Sequence, residues 1–524
     1  MKTANFVLRN RYQDSVTLMQ VAVGLRESDG IEDAALMMGT DPNKEMLAEA
    51  GLLAEEGRSA GPNDLIVAVR GSDEAVQQAA GRVEEMLRSQ TASTGGSQAS
   101  VRTPHSLASG LVAFPEANLV LISTPGIYAA TEAQKALAAG RHVMIFSDNV
   151  AVEDEIMLKQ VASERGLLLM GPDCGTSMIG GMPLGFANAV RRGPVGVVGA
   201  SGTGMQEITS LIDRYGGGIA HAIGTGSRDL SARVGALTAL ASLAALRDDP
   251  STKVIVLVSK PPDPAVAERV ISAASEADKP VVVCFLGLDT AKTGYAASNI
   301  TFTSTLEDAA RQAVRLLSGG IPPREDAPNM RAVEQARNEL KPSQRYVRGL
   351  FSGGTFCYEA MLLLQPLLGP IYSNTPLQFD YKVKMRNTQY AIRNRHVCLD
   401  MGADEFTVGR PHPMIDMTQR AERLQVEAND PETAVLLLDV VLGYGAHPDP
   451  AGALTAAIRE AKARARDAGR TLPVVVSICG TDRDLQGYVA QKELLETVGA
   501  IVAGSNAEAA RLAGAIAQQT LDNS

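Results

Sequence analysis

The chain of 524 residues contains no tryptophan, and aromatic residues make up only 4% of it. Because base stacking in nucleic-acid proteins relies on aromatic side chains, this scarcity argues against that class of function. The charge balance argues the same way, since 49 Lys and Arg residues stand against 59 Asp and Glu residues. Neutralising nucleic-acid phosphates needs a basic surface, so we expect no nucleic-acid partner.

Cysteine is also scarce, with five residues that lie far apart and form no CxxC pair. This pattern is typical of a reduced intracellular protein and not of a disulfide scaffold or a zinc site. None of the six histidines has metal-ligand spacing, and HExxH is absent, so no metal is expected. Without an apolar signal core or a long apolar run, we expect a cytoplasmic protein with no membrane partner.

The sequence is instead rich in glycine, with 49 residues, and in short β-branched runs that alternate with helices of ordinary length. This alternation predicts an α/β protein with doubly wound parallel sheets, Rossmann-like and flavodoxin-like, beside a small α/β domain at the amino terminus. Polar or proline-rich breaks lie near 89–106 and 318–330. The predicted units are 1–88, which is ferredoxin- or ACT-like, 107–192, 193–317 and 346–520.

Small residues form turns between several predicted strands and helices. One turn, Gly199–Gly204, follows the strand VGVV, and another, Ser352–Thr355, follows GLF. Glycine lets the backbone approach an anion, and a helix start offers unpaired N–H groups and positive potential. Two such helices directed at one point could bind one phosphate. The alternative is that these are ordinary strand–helix turns without a ligand. The dinucleotide-binding motif GxGxxG is not completed, because Glu207 stands at its sixth position.

Cys174 and two histidines are further candidates. Cys174 follows a strand, so a helix start could activate its thiolate, or it could be a small residue in a tight turn. His412 in PHPMID and His447 in GYGAHPDP lie in predicted loops where ligands could bind, although solvated or capping histidines are commoner.

Taken in order, these turns resemble the FdrA family of the succinyl-CoA synthetase superfamily. The similarity runs from about residue 5 to residue 515 and includes ANLVLISTPG, GLLLMGPDCGTS, ASGTGMQE, GTGSRDLS, SKPPDP, LFSGGTFCYEA, GRPHPMID and ICGTDRDLQG. The resemblance implies an acyl-CoA synthetase-like chain that joins an α-subunit-like part to the carboxyl-terminal domain of a β subunit. Residues 107–192 would be the CoA-binding-type domain and 193–317 the ligase domain.

In that family two helix starts face the transferred phosphate. The matching residues imply a phosphate site formed by Ser201, Gly202, Thr203, Gly353, Gly354 and Thr355. The departures are equally informative. Tyr295 stands where the family's phosphohistidine is expected, and Lys260 stands where a glutamate is expected. An ATP-grasp domain and the glycine-rich CoA loop are not recognisable, so the ligand implied is phosphate or a carbamoyl or acyl phosphate, and CoA stays possible.

FdrA-type proteins are associated with ureide (allantoin) breakdown as a subunit of oxamate carbamoyltransferase, and the resemblance implies that role here. Lys260 would neutralise the anion, and Arg228 would bind a substrate carboxylate, unless Arg228 forms a structural salt bridge. The remaining candidates for substrate binding are strand-end residues: Asp173, Cys174, Gly175, Thr176, Gly224, Thr225, Gly226, Gly445, His447, Gly480 and Thr481.

Two other functions stay open. The chain could be an acyl-CoA ligase component that works with a separate ATP-grasp subunit, or a non-catalytic scaffold subunit. Besides small-molecule substrates, we expect a homodimer, on general grounds, and additional enzyme subunits.

Overall fold

A computed structural model describes residues 2–11, 13, 15–26, 28–93, 104–288, 297–320, 327–383, 392–407 and 410–518. Tyr295 and most of the predicted 89–106 linker lie outside these ranges. Among the described residues, no helix combines the length and the apolar character needed to cross a bilayer.

The amino-terminal unit is a three-stranded antiparallel sheet in the order β1-β3-β2. Its apolar helix faces, including Leu18, Val21, Val76 and Val83, pack on one face of that sheet. The order is that of a ferredoxin-like unit without its fourth strand. The elements are β1 (Lys2–Leu8), α1 (Ser15–Arg26), β2 (Ile31–Met38), α2 (Asp41–Glu49), α3 (Glu55–Arg58), β3 (Leu65–Gly71) and α4 (Asp73–Ser93).

The first parallel sheet is small, with strand order β4-β5-β6. Alanines on its first long helix, such as Ala129 and Ala133, are fully buried and let that helix pack close to the strands. The elements are α5 (Leu107–Ala113), β4 (Leu119–Ile122), α6 (Gly126–Ala138), β5 (His142–Ile145), α7 (Val152–Glu164) and β6 (Leu169–Met170).

The second sheet has seven strands in the order β13-β12-β11-β9-β10-β7-β8. Its elements are β7 (Thr176–Ile179), β8 (Met182–Gly185), β9 (Arg192–Gly199), α8 (Gly202–Arg214), β10 (Ile219–Gly224), α9 (Leu237–Asp248), β11 (Val254–Ser259), α10 (Pro264–Ser275), β12 (Val281–Phe285), β13 (Ile300–Phe302) and α11 (Leu306–Ser318). The hairpin β7–β8 pairs antiparallel with β10, so it extends this sheet. The division predicted near Gly193 therefore differs from the sheet organisation, because backbone pairing assigns this hairpin to the second sheet.

The third sheet has six parallel strands in the order β15-β16-β14-β17-β18-β19. Its elements are α12 (Ala327–Asn338), β14 (Tyr346–Phe351), α13 (Gly354–Leu368), β15 (Ile371–Tyr372), a 3₁₀ turn (Phe379–Tyr381), β16 (His396–Asp400), α14 (Asp404–Thr407), α15 (Thr418–Ala428), β17 (Thr433–Val441), α16 (Pro450–Asp467), β18 (Val474–Cys479), α17 (Tyr488–Thr497), β19 (Ile501–Ala503) and α18 (Asn506–Ala517). The predicted α/β class with parallel sheets is confirmed.

Alternate residues along the central strands enter different cores, as expected for a sheet covered on both faces. On β11, Val256 belongs to one core and Leu257 to the other. The first of these cores is continuous between the second and third sheets, where α8, α11, α13 and α18 contribute residues such as Ile208 and Phe356. This shared core holds α8 beside α13 and brings their first residues together.

Candidate functional site

A cavity of about 1040 Å³ lies beyond the carboxyl ends of the strands, where ligands bind in open parallel sheets. Turns that follow β4, β5, β9, β11, β14 and β16 line it, so all three parallel sheets contribute. Residues of α1, β2 and α2 from the amino-terminal unit complete the wall. The amino-terminal unit and all three parallel sheets therefore border the same cavity.

Many residues predicted from sequence line this cavity together. They are Asp173, Cys174, Gly175, Thr176, Ser201, Gly202, Thr203, Gly224, Gly226, Lys260, Gly354 and Thr355. Gly353 is not among them; it is the N-cap residue of α13, between the lining residues Ser352 and Gly354.

The first residues of α8 and α13 are in direct contact. Ser201 Oγ and Thr355 Oγ1 share a hydrogen bond of 2.5 Å. Ser201 also accepts a bond from the N–H of Gly204, at 3.1 Å, and so caps its own helix. A Cβ added to Gly353 would lie 3.0 Å from Thr203 Cγ2. A residue larger than glycine at this position would therefore keep the two helix starts further apart. Two sets of helix-start N–H groups thus open onto the same point.

Lys260 follows β11 and reaches the start of α13. A Cβ built on Gly354 would lie 3.2 Å from Lys260 Nζ and 2.5 Å from Asp400 Oδ2, so the ammonium and this carboxyl flank the same backbone position. Asp400 was not predicted as a site residue, although it ends β16 as the other polar residues end their strands. That strand-end position is the signal that could have identified it.

Other charged residues of the lining were also missed. Asp148 and Asp404 join Asp173 in an acidic group, and burial raises the pKa of both Asp148 and Asp173. Arg410, in the GRPHPMID segment, adds the second cationic side chain among the described lining residues. The cavity therefore has a part at the helix starts where N–H groups and Lys260 favour an anion, and an acidic part that can accept hydrogen bonds.

His412 belongs to the same wall. Its Nδ1 accepts a bond from the N–H of Met414 at 3.2 Å, which places the proton of the neutral ring on Nε2. Burial lowers the pKa of His412 to about 4, so the ring is neutral near pH 7. It is a hydrogen-bonding group of the cavity and not a cation.

Arg228 does not line the cavity and is engaged elsewhere. Its Nε lies 2.9 Å from Glu155 Oε2, and Nη2 donates to the carbonyl of Val150 at 2.8 Å. Glu155 also pairs with the buried Lys159, which bonds to Asp229 at 2.7 Å. Because a buried carboxylate of α7 already pairs with the guanidinium, the structure favours the salt-bridge alternative for Arg228, and its substrate role stays a prediction.

Five predicted substrate-binding residues also lie outside the lining. An added Cβ at Gly445 would meet the Phe186 ring, and His447 Nδ1 accepts from the N–H of Asp449. Gly480 lies against Leu442, whereas Thr481 Oγ1 donates to the carbonyl of Ala189 at 2.6 Å.

The fifth of these residues is Thr225, which is fully buried. Its N–H donates to the carbonyl of Gly199 at 2.9 Å. Thr225 therefore joins two neighbouring turns and does not face the cavity.

Cys174 lines the cavity but is not activated. A strand, not a helix, follows its turn, and burial raises the pKa of its thiol to about 11. Its Sγ lies 3.4 Å from both Ser177 Oγ and the carbonyl of Gly224. All five cysteines are buried and free of disulfides.

The described residues contain no group of three or more His, Cys, Asp or Glu side chains arranged to hold a metal. The charge of the cavity also bears on CoA, whose nucleotide end carries three phosphate groups. The described lining holds Lys260 and Arg410 against six acidic residues: Glu45, Asp148, Asp173, Asp263, Asp400 and Asp404. The excess of acidic side chains is electrostatically unfavourable for the polyanionic end of CoA within the cavity.

Three family models match the chain. Residues 350–516 match the CoA-ligase model, residues 190–287 match the CoA binding domain, and residues 1–104 match the heavy metal-associated domain of AllF. The CoA-binding range differs from 107–192, where the sequence predicted that unit. Residues 1–104 contain neither cysteine nor histidine, so this unit offers a metal neither a thiolate nor an imidazole.

The chain is 43% identical over 507 residues to the uncharacterized protein YahF of Escherichia coli (strain K12), covering 96% of each. It is 28% identical over 181 residues to the succinate–CoA ligase [ADP-forming] subunit alpha of Aquifex aeolicus, covering 33% of this chain and 57% of that subunit. The solved structure of PH0766 from Pyrococcus horikoshii OT3 aligns with 80% of this chain and 87% of that one, at 16% identity and a TM-score of 0.33.

The family models and the sequence relatives define a protein with succinyl-CoA synthetase-like, CoA-ligase parts. The chain belongs to the FdrA family of that superfamily, as the resemblance of its motifs implied.

Proposed function

We propose that the chain is the phosphate-binding subunit of a carbamoyltransferase, which splits oxalurate with phosphate into oxamate and carbamoyl phosphate during ureide breakdown. The observation that carries this proposal is the convergence of two helix starts on one cavity, with Ser201 and Thr355 in contact at 2.5 Å. The match of the amino-terminal unit to the AllF model supports a place in allantoin breakdown.

Phosphate would bind to the free N–H groups at the starts of α8 and α13, with the hydroxyls of Ser201, Thr203 and Thr355 as further donors. Lys260 beside Gly354 would neutralise part of its charge. The same donors would stabilise the negative charge that develops on the carbamoyl oxygen in the transition state.

The ureide is an amide with a carboxylate at one end, and the two kinds of charge in the cavity suit it. Asp148, Asp173 and Asp404 offer acceptors for its amide N–H groups. We assign its carboxylate to Arg410, which lines the cavity, because a guanidinium binds a carboxylate with two parallel hydrogen bonds. In this arrangement phosphate attacks the carbamoyl carbon directly, so the phosphohistidine that Tyr295 replaces is not required.

The second candidate is a component of an acyl-CoA ligase that works with an ATP-grasp subunit. The CoA-ligase and CoA-binding models favour it, as do the named ligase relatives. The acidic lining of the cavity favours the first candidate. Under either candidate we propose additional enzyme subunits and a homodimer.

The test uses the full chain with any subunits that co-purify from its native host. Carbamoyl phosphate and oxamate are mixed with it, without nucleotide or CoA, and followed by phosphorus and carbon NMR. Phosphate release matched by oxalurate formation supports carbamoyl transfer. No turnover, followed by acyl-CoA formation when ATP, CoA and an acid are added, would establish the ligase instead. If neither assay gives a product, the result would favour a non-catalytic scaffold subunit.

A charge-reversal pair at the two ends of β11 sharpens this test. Lys260→Glu should abolish carbamoyl transfer, because it replaces the ammonium beside the phosphate with a carboxylate that repels it. Lys253→Glu makes the same change on an exposed side chain at the opposite end of the strand, and it should leave activity unchanged. Equal activity of the two variants would refute the role of Lys260.

A further inference from the structure

Asp400 is a buried carboxyl that the sequence did not mark and that faces the anion-binding part of the cavity. Its backbone is fixed by Asn374, which donates to the Asp400 carbonyl and accepts from the Asp400 N–H, both at 2.9 Å. Oδ1 accepts from the N–H of Gly402 at 3.1 Å. Oδ2 points to the start of α13, within 2.5 Å of where a Cβ on Gly354 would lie.

A carboxylate in this position has an electrostatic cost for a site that only binds phosphate, because it repels the anion. Lys260, whose ammonium lies near the same position, offsets part of this repulsion, but an asparagine in place of Asp400 would not repel phosphate at all. A proton-exchanging role accounts for a carboxyl at this point. We propose that Asp400 is a catalytic residue that carries a proton from the attacking phosphate to the departing nitrogen, an inference that rests on the proposed carbamoyl transfer.

The step balances without any added reagent. An oxygen of hydrogen phosphate attacks the carbamoyl carbon of oxalurate and passes its proton to the Asp400 carboxylate. The bond between that carbon and the bridging nitrogen then breaks, and its electron pair remains on nitrogen. Asp400 returns the proton to this nitrogen, so oxamate leaves with a neutral amide group and its carboxylate unchanged, and carbamoyl phosphate remains. The carboxylate is regenerated, and no net proton is gained or lost.

The surroundings of Asp400 suit this exchange. Burial raises its pKa, and Lys260, the nearest cation, opposes that rise. Asp439 from β17 and Glu405 from α14 raise the pKa further, whereas the neighbouring Cys357 thiol stays protonated because burial raises its own pKa. Because the carboxylate form must accept the first proton, kcat should fall as the pH drops through the pKa of Asp400.

The test compares Asp400→Asn with the wild-type protein in phosphorolysis of oxalurate. Asn keeps the acceptor for the Gly402 N–H but cannot exchange a proton. We expect kcat to fall by about 100-fold or more, a typical effect for one acid–base group. KM for phosphate should change little or decrease, and the acid limb of the kcat profile should disappear. A variant that keeps its kcat or its acid limb would overturn the inference.

Two controls separate the remaining outcomes. Should Asp400→Asn fail to fold, the pH profile of Glu405→Gln decides, since Glu405 is exposed and outside the lining. Removing that charge should lower the pKa of Asp400 and move the acid limb to lower pH, and an unmoved limb would overturn the inference. Inactivity of the wild-type protein would instead refute the proposed function, whereas an active Asp400→Asn beside an active wild type refutes the role of Asp400 alone.

Discussion

The two helices that meet at the cavity begin with the same pattern but are held in place differently. Ser201–Glu207 and Gly353–Glu359 both have glycine second, threonine third and glutamate seventh. They differ at the first position. Ser201 caps α8 with its own hydroxyl, whereas the residue before α13 is a glycine without a capping side chain.

Asp439 supplies the support that Gly353 lacks. Its carboxylate accepts bonds from the Gly353 N–H at 2.9 Å and from the N–H and hydroxyl of Ser352 at 2.8 and 2.7 Å. Arg420 in turn binds Asp439 at 2.9 Å, and both side chains are about 1% exposed. One helix start is therefore fixed locally, and the other depends on a buried ion pair of the third sheet.

The largest effect should come from breaking that ion pair. Asp439→Asn leaves the Arg420 charge buried without a carboxylate, which typically costs about 3–5 kcal/mol. Urea unfolding should show this loss of stability. The variant protein that remains folded without urea should also bind phosphate more weakly. The matched control is Asp449→Asn, at the exposed start of α16, where asparagine is an equally good cap. Equal losses in the two variants would contradict the dependence of α13 on Asp439.

The second glycines of the two helices provide the next comparison. A Cβ on Gly354 would lie 2.5 Å from Asp400 Oδ2, whereas one on Gly202 would lie 3.2 Å from Thr176 Oγ1. Overpacking of the first kind costs about 1–3 kcal/mol, and about 1.4 kcal/mol corresponds to tenfold in affinity.

Gly354→Ala should therefore weaken phosphate binding by about tenfold or more, and Gly202→Ala by much less. Isothermal titration calorimetry with inorganic phosphate measures both. A larger loss of affinity in Gly202→Ala than in Gly354→Ala would contradict this prediction.

A smaller effect is expected at the local cap. Ser201→Ala removes the cap of α8 and leaves the buried Thr355 hydroxyl without its partner, so unfolding should become easier by about 1–2 kcal/mol. Ser106→Ala removes the exposed cap of the short helix α5, away from the cavity, and serves as the control. Guanidinium unfolding of both variants checks the difference, and a Ser201→Ala protein as stable as the wild type would contradict the contact with Thr355.

Local sequence patterns predict both helix starts because a β-branched strand, a small-residue turn and an amphipathic helix are each visible within about 20 residues. They also predict that strand ends carry the site. Local patterns do not show which strand ends of a wide sheet face the neighbouring sheet. Gly480 and Gly354 both follow strands of the third sheet, yet only Gly354 lines the cavity.

Pairing between distant charges was equally invisible. Arg228 is engaged by Glu155 of the helix α7, more than 70 residues earlier in the chain, so its substrate role could not be judged from its own motif. Asp400 was missed because β16 itself was not recognised, although HVCLD ends in a polar residue as the other site strands do. Tertiary packing, and not the turn chemistry, decided these cases.

The smallest effect is expected from the glutamates one turn further along, where the two helices again match. Asn506 donates its N–H to Glu207 Oε1 at 3.0 Å and its side-chain amide to Glu359 Oε2 at 2.7 Å. Burial raises the pKa of each carboxyl from 4.5 to about 7. The native state then holds protons that the unfolded chain has released, so stability should fall as the pH rises from about 4.5 to about 7.

Glu359→Gln removes one of these titrations, and its amide can still accept from the N–H of Leu306. The free energy of unfolding should therefore depend less on pH, with the variant gaining on the wild type from pH 5 to pH 8. Glu460→Gln, on the exposed face of α16, should leave the pH dependence as it is in the wild type. Parallel curves for wild type and Glu359→Gln would mean that Glu359 is ionised throughout this range. The two helices would then be joined by a charged contact instead of a protonated one.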